Sequence, residues 1–157
     1  MAKLKISWKE KLEDDKDLPK VIKINEKMSK RWGRGTCVIP APREVDEIMS
    51  KIPKGKLLTI NEIRKILAKK HNASIGCPIT TGIFAWVAAN VAGEARAEGK
   101  KRITPYWRTL KTGGILNEKY PGGIEDQKKL LQEEGHAITQ KGKKFVVIDF
   151  EKNLAKL

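Results

Sequence analysis

Apolar residues recur at helical spacing most clearly in the middle of the chain. Val45, Ile48, Met49 and Ile52 fall three and four apart behind Pro42, which predicts a helix with one buried face and proline in its first turn. Pro53 and Gly55 stop it. Thr59-Ile60-Asn61-Glu62 has the pattern of a capping box, and Ile60, Ile63, Ile66 and Leu67 extend helical spacing to about His71. A turn over 72–78 then leads to a second helix expected to start near Thr80 or Thr81. Its Ile83, Phe84, Val87, Ala88 and Val91 form a broad apolar face, while Ala85, Ala89 and Ala92 allow close packing.

The flanks alternate differently. Ser7-Trp8-Lys9-Glu10 is a second capping-box pattern, opening a short charged helix through Glu13 that Pro19 interrupts. Residues 21–24 and 36–39 read as short strands, the latter ended by Pro40 and Pro42, with Lys27, Lys30, Arg31 and Arg34 around Trp32 between them. Beyond the helices, 111–114 reads as a turn. Pro121-Gly122-Gly123 opens a last amphipathic helix over 124–134, burying Leu130 and Leu131 and closing at Gly135. Residues 137–139 and 144–149 flank Gln140-Lys141-Gly142-Lys143, a β-hairpin signal that would serve as a wing.

Charge changes the picture from architecture to partner. Lys and Arg number 33 against 19 Asp and Glu, a formal charge of +14. Such an excess favours a polyanion, because neutralising phosphates releases condensed counterions; a lysine-rich surface that serves only solubility is the alternative. The charged start at residues 1–6 does not resemble a secretory signal, and no stretch has the unbroken apolar character of a membrane span. Cys37 and Cys77 lack CxxC spacing, and His71 and His136 are the only histidines. That pattern fits a reduced cytoplasmic compartment, excludes a structural zinc site and implies no cofactor.

Two helices joined by a short turn, the second rich in small residues, match a helix-turn-helix; an ordinary helical hairpin satisfies the same pattern. The order of motifs settles more than any one of them. Lys54-Gly55-Lys56-Leu57-Leu58-Thr59, Gly76-Cys77-Pro78, Ile103-Thr104-Pro105-Tyr106-Trp107-Arg108-Thr109-Leu110, Gly113-Gly114, Tyr120-Pro121-Gly122-Gly123, Lys128-Lys129-Leu130-Leu131 and Glu134-Gly135-His136 follow in unbroken order. Together they resemble the O6-alkylguanine-DNA alkyltransferases (methylated-DNA–protein-cysteine methyltransferases) over roughly residues 42–138. The resemblance implies an α+β, mainly α fold: a winged helix-turn-helix over 42–157, with a basic N-terminal extension over 1–41 and a C-terminal β-hairpin.

The departures bear on function. In the resemblance Tyr106 stands at the alkyl-accepting cysteine and Trp107 at the histidine that relays its proton. A phenol with a pKa near ~10 is a poor nucleophile without a base beside it, and indole supplies none. No catalytic residue is therefore expected, and the chain is more similar to the alkyltransferase-like members that lack the acceptor. Those members usually carry tryptophan at the acceptor position and keep the histidine, so Tyr106-Trp107 departs from their pattern too. The resemblance puts Tyr106, Trp107, Tyr120, Gly122 and Glu134 around a lesion pocket, where aromatics either stack on a flipped base or simply pack.

For DNA contact it marks Thr80, Thr81, Gly82, Lys101, Arg102, Arg108 and Lys111. The threonines could cap the helix or bond phosphate, and Arg108 could hold its own turn or meet phosphate. Gly82 replaces the arginine that fills the stack after a base flips, and Ile60 replaces the tyrosine that helps rotate the target. Gly82 suits either a close minor-groove approach or a packed neighbouring helix, and Trp86 is open to contact or to core packing.

The function expected is non-enzymatic DNA binding linked to alkylation-damage recognition or repair. The alternative is a general DNA-binding regulator or chromatin protein on the same scaffold; an active methyltransferase is the reading the missing cysteine opposes. A monomer on double-stranded DNA is expected, with room for a repair-protein partner, in the cytoplasm or at the nucleoid of a prokaryotic cell.

Overall fold

The computed structural model describes residues 7–15 and 17–157; residues 1–6, with the charged start noted above, lie outside it. The first elements are α1 (Trp8–Glu13), β1 (Lys20–Lys23), α2 (Glu26–Trp32), β2 (Thr36–Ile39) and α3 (Pro42–Ser50). They are followed by β3 (Leu58–Thr59), α4 (Ile60–Lys70), β4 (Ile75–Gly76) and α5 (Pro78–Ala97). A 3-10 turn at Tyr106–Arg108, β5 (Thr109–Leu110), α6 (Gly123–Glu133), β6 (Ile138–Lys141) and β7 (Lys144–Val147) complete the order, with a final 3-10 turn at Phe150–Asn153. The architecture is α+β and mainly α: α4 and α5 form the helix-turn-helix, and β6 and β7 pair antiparallel as the hairpin behind it.

Local chemistry starts these helices. Ser7 Oγ accepts from the Glu10 amide at 3.1 Å, and Asn25 Oδ1 from the Met28 amide at 2.8 Å, which caps α1 and α2. Pro42 and Pro78 occupy first-turn positions, where the missing N–H costs nothing. At α4 the expected box is changed. Thr59 is the N-cap, but its hydroxyl donates to the Glu62 carboxylate instead of accepting from the helix backbone.

α5 begins at Pro78, two to three residues before the predicted start, so Thr80 and Thr81 lie inside its first turns and neither caps it. Gly76-Cys77-Pro78 reads as a turn from sequence, yet Pro at the first helical position is pre-set for helix, with Cys77 as the cap residue. Gly76 lies so close to α4 that an added Cβ would stand 2.7 Å from the Arg64 carbonyl oxygen.

The main core forms where α5 packs against α1, α3 and α4. Val45, Met49, Ile52, Ile63 and Leu67 are fully buried there, each stabilising by roughly 1.5–3 kcal/mol. A second core under the hairpin joins Leu57, Leu110, Leu116, Leu131 and Val147. Leu131 is buried as expected, whereas Leu130 is only half-buried. β2 is the central strand of a three-stranded sheet, antiparallel to β1 and parallel to β4, so the sheet joins residues before Pro42 to the turn between α4 and α5. β3 and β5 pair in parallel, carrying the 3-10 turn onto the start of α4.

Candidate functional site

The segment 103–110 crosses between α5 and α6 and is pinned at both ends. Thr104 Oγ1 donates to Asp46 at 2.6 Å, and β5 locks onto β3. Tyr106, only 1% exposed, meets Trp107 and Tyr120 edge-on with ring centroids 5.3 and 5.8 Å away. Arg96 reaches its hydroxyl at 3.4 Å and Asp126 at 2.8 Å. Burial pushes the phenols of Tyr106 and Tyr120 above their ordinary value, so both stay protonated.

Glu134 is the polar hub of this cluster. Its carboxylate accepts from the Trp107 indole N–H at 2.9 Å and from the Arg108 Nε and Nη2 at 2.9 and 2.7 Å. It also accepts from the Gly55 amide at 3.3 Å, while Arg108 Nη1 donates to the Ile52 carbonyl at 2.7 Å. Burial alone would raise the Glu134 pKa, but these donors outweigh it and hold the group below its usual range. Gln127, fully buried, donates to the Trp107 carbonyl at 3.2 Å and accepts from the Asn117 amide at 2.8 Å, tying the turn to the loop beyond it.

Four of the five residues expected around a pocket therefore meet, but as packed interior. Tyr106 and Tyr120 are buried, and Trp107 spends its donor on Glu134. Gly122 lies beside them with φ +83°, bordering a shallow depression of about 380 Å³ shared with Gly93, Arg96 and Asp126.

The open groove next to α5 lies elsewhere. About 390 Å³ in volume, it runs between Ile60 and the first turns of α5 (Ile79, Gly82, Ile83, Trp86) on one side and residues Lys111, Thr112 and 117–119 on the other. Trp86 fixes its width: the indole N–H donates to the Lys119 carbonyl at 3.1 Å, and the ring packs edge-on against Trp8 at 4.7 Å. Ile79 and Ile83 stay 61% and 47% exposed, which corrects the expectation that Ile83 belongs to the buried face. No atom lies within 4 Å of a Cβ built on Gly82, so no packed neighbour requires that glycine.

The expected DNA-contact residues separate into groups. Gly82 and Lys111 line the groove, Lys111 with its ammonium 2.8 Å from Glu118. Thr80 is half-buried and Thr81 fully buried on α5. Arg108 is enclosed by its ion pair with Glu134, at 13% side-chain exposure. Lys101 and Arg102 are exposed past the far end of α5, about 22 Å along the axis from Gly82 at 1.5 Å per residue. Sequence reasoning missed Gln127, Arg96 and the exposed isoleucines. The available signal for the isoleucines was their four-residue spacing around Gly82, within a helix apolar nearly all round.

Among the described residues no cluster of three or more His, Cys, Asp or Glu side chains is placed to hold a metal, and no helix is long and apolar enough to cross a membrane. No protein-family model matches the chain, and no curated protein sequence matches it. Among solved structures it is similar to S. pombe Atl1 in complex with damaged DNA containing O6-carboxymethylguanine, at 21% identity and a TM-score of 0.49. A second similar structure is S. pombe ATL in complex with DNA, at 21% identity and a TM-score of 0.46. Each match covers 74% of this chain and 94% of the other.

Proposed function

We propose that this protein binds double-stranded DNA through the α4–turn–α5 unit, without catalysing a reaction on it, as a step in recognising alkylation damage. The observation that carries this is the groove at the start of α5, open and partly apolar, in a chain of net charge +14. A duplex matches such a surface, with phosphates for the cations and base edges for the groove. The buried chemistry supports a non-catalytic role. Tyr106 stands where the resemblance implies the acceptor thiol, and its phenol is held protonated. Cys37 is fully buried with its thiol pushed up to about 11, first by burial and then by Cys77, so little thiolate exists at neutral pH.

A second reading, DNA binding without lesion recognition, is favoured by one observation: Tyr106 and Tyr120 fill the position where an extrahelical base would be held. Paired duplexes, one with O6-methylguanine and one with guanine, titrated at two salt concentrations, separate the two. Tighter binding of the modified duplex supports damage recognition. Equal but salt-sensitive binding supports the general DNA-binding protein, and a flat salt dependence overturns both. On either reading the protein acts as a monomer on chromosomal DNA, in the cytoplasm or at a nucleoid.

A further inference from the structure

We propose that Ile79 and Ile83 form an apolar wedge that enters a base step of duplex DNA from the minor groove. This rests on the DNA-binding reading above and goes beyond it by naming what the protein inserts.

The large apolar side chains left exposed among the described residues are Val21, Ile79, Ile83, Ile148 and Leu157. Ile79 and Ile83 are alone among them in sharing a helix face, being four residues apart on α5, where such residues stand one above the other. Both belong to the groove wall, and between them Gly82 contributes no side chain. Its Cβ position is empty to 4 Å, so the protein's own packing does not demand the glycine. Its effect is on the outer surface: the two isoleucines project as an isolated ridge, and a ligand can approach the α5 backbone between them.

The ridge faces cations across the groove. Lys111 and Lys119 stand on the opposite side, and the Trp86 bond to the Lys119 carbonyl sets the separation. A partner that suits an apolar ridge beside lysines is anionic at its edges and apolar within. Duplex DNA has that arrangement, with phosphates bordering stacked base faces. Inserted aliphatic side chains are a general means of opening a base step from the minor groove and bending the duplex. A free acidic protein surface would satisfy the lysines and leave the isoleucines against water.

The test uses the full chain and an unmodified duplex carrying 2-aminopurine at a central TpA step, with dyes at its two ends. At saturation the wild type is expected to raise 2-aminopurine fluorescence several-fold, through loss of stacking, and to shorten the end-to-end distance. The double variant Ile79→Ala, Ile83→Ala changes only exposed side chains, so its melting temperature should match the wild type. It should bind more weakly, with the same salt slope and no fluorescence rise. A rise that persists in the variant, or a saturated wild-type complex without one, overturns the wedge and leaves DNA binding standing. Failure to bind any duplex removes the DNA reading itself. Self-association of the free protein that the double variant abolishes would assign the ridge to a second copy and overturn the wedge.

Discussion

Trp107, Arg108 and Glu134 show how one residue position changes the meaning of its neighbours. The sequence places Glu134 opposite the 106–108 segment, and with no histidine there the carboxylate has no proton relay to orient. The structure gives it other partners: it holds the indole N–H and, more tightly, the Arg108 guanidinium, with only 7% and 13% of the two charged side chains exposed. A buried pair of this kind is costly to break singly, because the remaining charge loses its partner. Glu134→Gln is therefore expected to destabilise the fold by about 3 kcal/mol at neutral pH, measured by urea unfolding.

The same residue carries a pH dependence. Its folded pKa lies below the ordinary 4.5, so its contribution is complete above that value and is lost as pH falls through the folded value. His136, buried and with its pKa lowered below 6.5 chiefly by desolvation, acts in the same direction, stabilising above 6.5 and losing that contribution as pH falls. Wild-type urea midpoints should therefore drop in two stages on acidification, first below 6.5 and then below 4.5. Glu134→Gln should remove only the second stage; a variant that keeps it would exclude Glu134 as its source.

At the level of elements, legibility followed the strength of the pattern. α3, α4, α6 and the hairpin were readable because each presents one apolar face or a clear alternation to one core. α2 was not read as a helix: its burial is slight, and Lys27, Lys30 and Arg31 present it as a charge run, while its Asn25 cap went unnoticed. α5 failed differently. Only Glu94 and Arg96 are charged along its twenty residues, so periodicity could not say which side faces out.

Its two glycines make the contrast testable. Gly82 has open space around it, and alanine there should stabilise by about 1 kcal/mol through helix propensity. Gly93 faces Pro121, whose Cγ would lie 2.6 Å from an added Cβ. Alanine at Gly93 should therefore destabilise by about 1–3 kcal/mol through overpacking. Thermal melts of the two variants should shift in opposite directions. A shared direction would mean that propensity alone, or packing alone, governs α5.

Across the whole molecule, what the sequence could not show is how distant parts come together. Nothing local announces that β2 pairs with the two-residue β4, or that Trp8 of α1 packs against Trp86 of α5, since both pairings join segments far apart in the chain. Nor did it reveal that the cations expected to form one rim lie at opposite ends of a helix. Lys111 sits at the groove beside Gly82, while Lys101 and Arg102 follow the C-terminal end of α5. The intervening length of about 22 Å corresponds to roughly six base pairs along one strand at 3.4 Å each. A duplex can touch both groups only by running along α5. If it does, each released counterion adds to the salt dependence, and a complex neutralising six phosphates would weaken by roughly 10³-fold between low and moderate salt. Replacing Lys101 and Arg102 by glutamine should then reduce the slope of log affinity against log salt by about 1.8, from two lost phosphate contacts. An unchanged slope would instead turn the duplex across the helix, confining its contacts to the groove end of α5 and leaving the distal cations to solvent.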